Sequence, residues 1–188
     1  MNCTLGHRET LTLDLLQLPA NATARKDPLR PILASILIGC SISQFELPAA
    51  SGLSQPHLRV FLEEYFPGFT FNLIHGGYKE IPELTDLINL LLEYRAGKND
   101  SEVWLAYIIA FSCAGRDHLW QDLGLANRGE LSKLMELAFP SLAALNIGDM
   151  KWKKFIYRQY CMRDGIYVCP APSCGECSDY KKCFAPEE

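Results

Sequence analysis

Ser101-Glu102-Val103-Trp104-Leu105-Ala106-Tyr107-Ile108-Ile109-Ala110-Phe111-Ser112-Cys113 is the stretch that decides the fold. Its apolar residues fall almost all round a helix, which suits a central helix covered by neighbours better than a surface one. Gly115 closes it. Downstream, after a short segment at 117–123, Asn127 with Glu130 three residues on supplies a capping box for the stripe Leu131, Leu134, Met135 and Ala138. Pro140 is expected to end that helix. Asp149 is placed to cap the last one, where Trp152, Phe155, Ile156 and Gln159 or Tyr160 line one side up to a stop at Asp164-Gly165.

Upstream, Leu84, Leu87, Ile88, Leu91 and Leu92 repeat at helical spacing and end before Gly97. Ser54 and Pro56 mark the start of an earlier helix with Leu58, Phe61, Leu62 and Tyr65 as its buried stripe, halted by Pro67-Gly68. Asp27 and Pro28 open the first helix, with Leu29, Ile32, Leu33, Ile36, Leu37 and Cys40 on its apolar face. No strand alternation is found. The expected fold is therefore all-α, a single bundle of about six helices with an irregular C-terminal cysteine-rich metal-binding loop. Within one domain overall, residues 1–26 read as a loosely ordered N-terminal arm, 27–165 as the helical body and 166–188 as the cysteine-rich tail.

The chain has 188 residues, 48% hydrophobic and 21% charged. A chain this long buries on the order of 70% of its unfolded surface, enough for a core without staples. A formal net charge of -4 argues against a protein devoted to nonspecific nucleic-acid binding. The longest greasy stretch is too short to span a bilayer, and the N-terminus lacks the cationic and apolar regions of a signal peptide. The expected location is the cytoplasm, with neither nucleic acid nor membrane as partner. No Gly-rich phosphate loop, G-x-S-x-G elbow or H-E-x-x-H appears, so nucleotide and hydrolase chemistry have no foothold.

Eight cysteines in a reducing compartment are not read as a disulfide framework. Cys3, Cys40, Cys113 and Cys161 are scattered, while Cys169, Cys174, Cys177 and Cys183 form C-x4-C-x2-C-x5-C. Pro170, Pro172 and Gly175 build this backbone to loop. Four thiolates wrapped round one centre repel, each pair by about 4 kcal/mol at about 4 Å and an effective dielectric near 20, so the closed loop needs a cation. Softness narrows the metal to zinc or an iron-sulfur type cluster. Structural zinc sites usually carry two short pairs, whereas C-x4-C-x2-C matches the first three ligands of plant-type ferredoxins, which favours a cluster.

The cysteine run, preceded by Gly148-Asp149-Met150-Lys151-Trp152-Lys153-Lys154-Phe155 and by Asp117-His118-Leu119-Trp120-Gln121-Asp122-Leu123-Gly124, resembles the NifQ family of nitrogen fixation. The likeness is close from about Asp117 to Phe184. Upstream it rests on helix pattern, Gly52-Leu53 and Phe66-Pro67-Gly68. The resemblance implies a non-enzymatic molybdenum carrier holding a molybdenum-containing iron-sulfur cluster on Cys169, Cys174, Cys177 and Cys183. It further implies that molybdate is the metal source. Molybdenum would be supplied for iron-molybdenum cofactor biosynthesis of nitrogenase, on the scaffold complex NifEN with the nitrogenase iron protein NifH. Two other readings of the cysteine run stay open, an iron-sulfur electron-transfer protein and a zinc-stabilised helical interaction module.

Lys151, Lys153, Lys154, Arg158 and Arg163 form a run without an acidic residue, followed by Lys181 and Lys182 in the cysteine loop. That cationic face either offsets bound negative charge, attracts molybdate, docks an acidic partner, or is a solvated helix face. His118, between Asp117 and Trp120, is a candidate nitrogen ligand to incoming metal, with Asp117 or Asp122 orienting the ring; packing or capping is the commoner role of such a residue. Cys40 and Cys113 read as core, and Cys161 as a small residue of the last helix. Trp104, Trp120 and Trp152 read as packing.

Overall fold

The structure is a computed structural model that describes residues 2–43, 55–70, 82–163, 165 and 180–185. Among them lie eleven helices and no strand: α1 (Asn2–Gln17), α2 (Ala22–Lys26), α3 (Arg30–Ser43), α4 (Gln55–Tyr65), α5 (Leu84–Glu93), α6 (Ser101–Ser112), α7 (Leu119–Asp122), α8 (Arg128–Ala138), α9 (Pro140–Ala144), α10 (Trp152–Arg163) and α11 (Tyr180–Phe184). The expected count of about six is thus too low, for four local reasons, one being that the short segment at 117–123 forms α7. The first 26 residues, read as a loose arm, carry α1 and α2. Pro140 opens α9 at its first turn, where a missing N–H costs nothing, instead of only ending α8. The tail holds α11. Ser54, the expected cap of α4, lies outside the described residues.

α6 is central, as its all-round apolar pattern requires. Leu105, Ala106, Ile108, Ile109 and Ala110 are buried, and α5 and α7 pack against it. Glu102 is only 1% exposed. Its carboxylate is kept by three backbone donors, the N–H groups of Gly97 (2.5 Å), Lys98 (3.0 Å) and Asn99 (3.1 Å), in the turn that enters α6. Gly97, at φ +71, lets that turn close.

α1 lies along α3. Arg8 donates to Ser35 Oγ (2.9 Å), to the Ser35 carbonyl (3.0 Å) and to the Gly124 carbonyl (2.5 Å), and Ser35 Oγ donates in turn to Glu130 (2.9 Å). One polar chain thereby joins α1, α3, the loop before α8 and α8. A second joins α1, α3 and α4. Asp27 accepts from the Leu29 N–H at the start of α3 (2.8 Å) and from Tyr65 Oη (2.8 Å), while Arg30 donates to the carbonyls of Tyr65, Leu16 and Leu18. Burial and the Asp27 carboxylate push the Tyr65 phenol up, so it stays a donor.

Candidate functional site

The site begins with the seven-residue turn, 145–151, that joins α9 to α10. Asn146 locks it, accepting the Met150 N–H and donating to the Met150 carbonyl, both at 2.9 Å. Asp149 adopts φ +50, the left-handed region. Its carboxylate faces Arg128 at 2.7 Å instead of capping α10 as the sequence suggested. Asn127 does cap α8, accepting the Glu130 N–H at 3.0 Å. Glu130 reaches the Ala126 N–H (2.9 Å), so the box closes one residue early. Trp152, Phe155 and Ile156 then bury one side of α10, with Trp152 Nε1 donating to Ser132 Oγ at 3.1 Å.

α11 docks on this turn. The Cys183 carbonyl accepts the Lys151 N–H at 2.9 Å, satisfying a donor at the start of α10. Lys154 Nζ lies 3.7 Å from Cys183 Sγ. Phe184 stacks on Tyr180 with centroids 4.3 Å apart and covers Gly148, where a Cβ would sit 3.0 Å from the Phe184 ring. Lys153 turns the other way. It donates to the carbonyls of Gly115 (3.1 Å) and Asp117 (2.7 Å) and pairs with the Asp122 carboxylate. The first turn of α10 therefore gathers the 117–124 segment on one side and Cys183 on the other. Sequence reasoning marked all three stretches but missed Asn146 and Phe184; an aromatic directly after the last cysteine was the available signal for Phe184.

Of the expected ligands, Cys169, Cys174 and Cys177 lie outside the described residues. Cys183 is half-buried against Lys154. His118 is the N-cap residue of α7, its own N–H donating to Gln121 Oε1 at 3.1 Å. Cys40 and Cys113 are sealed in the core, where desolvation pushes each thiol up to about 12. Among the described residues no group of three or more His, Cys, Asp or Glu side chains is placed to hold a metal ion. The expected molybdenum-containing iron-sulfur cofactor and the expected metal-binding loop are corrected accordingly: the described residues do not fit such a group, because their thiols are dispersed. The cationic run is likewise divided, since Lys153 is spent on Asp122 and Arg163 pairs with Glu93 at 3.2 Å.

No described helix is long and apolar enough to cross a membrane. What the fold and site define, among the described residues, is an all-α protein that presents Cys183 of its last helix against a lysine-edged turn. Comparison with known proteins makes this specific. The NifQ family model matches residues 32–185, and the chain belongs to the NifQ family. It is 48% identical over 105 residues to Protein NifQ of Azotobacter vinelandii, covering 56% of this chain and 54% of that protein. It is 40% identical over 145 residues to a Protein NifQ homolog of Sinorhizobium fredii, covering 74% and 62%. It is 37% identical over 157 residues to Protein NifQ of Rhodobacter capsulatus, covering 83% and 87%. The chain thus spans less than two thirds of the length of the first two relatives. No solved structure matches it.

Proposed function

We propose that the chain is a non-catalytic carrier that takes molybdenum, derived from molybdate, as cargo and supplies it for iron-molybdenum cofactor biosynthesis of nitrogenase. NifEN and NifH are the proposed partners, and the cysteine-rich tail 166–188 is the proposed carrying segment on the body 27–165. Cys169, Cys174, Cys177 and Cys183 are the proposed thiolate donors, with His118 as a candidate nitrogen donor to incoming metal. Family membership supports the role. The observation that carries the reading is the seating of Cys183, whose carbonyl takes the Lys151 N–H and whose thiol lies beside Lys154. That places one thiol of the run on the stretch of body that shares the family likeness, while α11 has no buried residue and opens readily.

The test is molybdenum content after gel filtration of anaerobically purified protein incubated with molybdate and sulfide. The wild type retains molybdenum and loses it when NifEN and NifH are added. The variant with all four cysteines changed to serine retains none. Equal molybdenum in the two proteins, or wild-type molybdenum that stays put when the acceptors are present, would falsify the carrier reading.

A further inference from the structure

We propose that the turn bearing Leu145 and Ile147, together with α11, is the docking face for a partner protein whose own surface sets an acidic rim around an apolar recess. The proposal rests on the carrier reading and adds to it the chemistry of the acceptor surface. Ile147 is 92% exposed, with Leu145 at 49% and Tyr180 at 46%. Single exposed apolar residues are ordinary, but between Ile147 and Tyr180 lies Gly148 with the Phe184 ring over it, and Tyr180 stacks on that ring. Ile147 also stands on a turn that Asn146 bonds to Met150 in both directions. A knob held this firmly loses little freedom on binding, which is the condition for an anchor residue.

Charge selects the partner. Lys154 and Lys181 are exposed and Lys151 half-buried around this knob, in a chain whose net charge is -4. Of the two acids that line the adjoining recess with Asn146, Asp149 is already engaged by Arg128, and Glu136 leaves the lysines in the majority. Two copies of the chain meeting through this face would set lysine against lysine, which disfavours self-association and favours an acidic partner. The face adjoins Cys183, so docking there brings the acceptor to the thiol segment.

The experiment measures binding of immobilised full-length protein to purified NifEN and purified NifH across a salt series. Ile147→Ser weakens binding about tenfold. The double change Lys154→Gln, Lys181→Gln lowers affinity at low salt and flattens the salt dependence. Circular dichroism of these exposed-residue variants stays as in wild type. Unchanged binding by both variants would overturn the docking face and leave the carrier reading intact, whereas a wild type that binds neither protein would overturn both. A wild-type dimer abolished by Ile147→Ser would assign the face to a second copy and overturn the proposal.

Discussion

Cys40, whose thiol donates to the Leu123 carbonyl at 3.8 Å, and Cys113 show what burial does to a thiol. Both have an ordinary value of 9.0 and are pushed up to about 12, chiefly by desolvation; Arg8 opposes the rise at Cys40 and Lys153 at Cys113. In the unfolded chain each thiol ionises near 9, while in the fold each keeps its proton to about 12. The folded state binds more protons in that window, so the stability contribution is whole below pH 9 and is lost as pH rises towards 12. Each thiol makes unfolding easier by about 1.4 kcal/mol per pH unit there. Urea midpoints measured between pH 8 and pH 10.5 are expected to fall, and Cys113→Ala is expected to flatten that fall. At pH 8 in native buffer a disulfide-exchange reagent should leave Cys40 and Cys113 untouched and react with them only after denaturant is added. The core role of these two was legible from their apolar faces. That of Cys183 was not, because spacing says that a cysteine can ligate and nothing about which carbonyl or ammonium holds it.

At the scale of elements, the contact that most constrains the body is the crossing of α3 with the loop before α8. Gly39 is flush against the Gly124 carbonyl, so that a Cβ on Gly39 would lie inside that peptide group, and a Cβ added to Gly124, at φ +68, would lie 2.9 Å from the Cys40 nitrogen. Arg8 of α1 then donates to the same Gly124 carbonyl. Gly39→Ala is expected to cost about 3 kcal/mol, since two backbones must part and a half-buried guanidinium must re-aim. Denaturant titration reads the loss; a cost within experimental error would mean that this crossing is slack. The same contact explains which helices could be read. α5, α6 and α8 announce themselves through apolar stripes or an all-round apolar surface, whereas α1 buries only Leu15 among its described side chains and is tethered by Arg8 and by carbonyls that accept from Arg30. Polar tethers to distant residues leave no periodicity, so a tethered helix reads as an arm. α9 and α11 are five residues each, too short for any repeat to show.

The molecule as a whole divides its labour between a sealed body and a lightly attached end. Thirty or more apolar side chains from α1 to α10 form one continuous core, to which Cys183 and Phe184 add only from the outside. Its internal charges are each answered within the body, Glu102 by three backbone N–H groups and Arg30 by three carbonyls. α11, by contrast, is held by the bond from the Lys151 N–H to Cys183, the approach of Lys154 to the thiol and the cover of Phe184 over Gly148. One net hydrogen bond is worth about 1 kcal/mol, and a partly buried ring adds about as much again. A chain ending at Gly165 should therefore fold with the helical signal of the body intact, giving up about 2 kcal/mol in the contacts of α11, while retaining no molybdenum in the gel-filtration assay. Calorimetry and metal analysis on that one truncation separate two designs. If melting collapses with the tail, the proposed cargo segment is part of the scaffold and cannot let go without unfolding its bearer. If only the cargo is lost, the body is an autonomous platform, and release needs no more than the opening of one short helix.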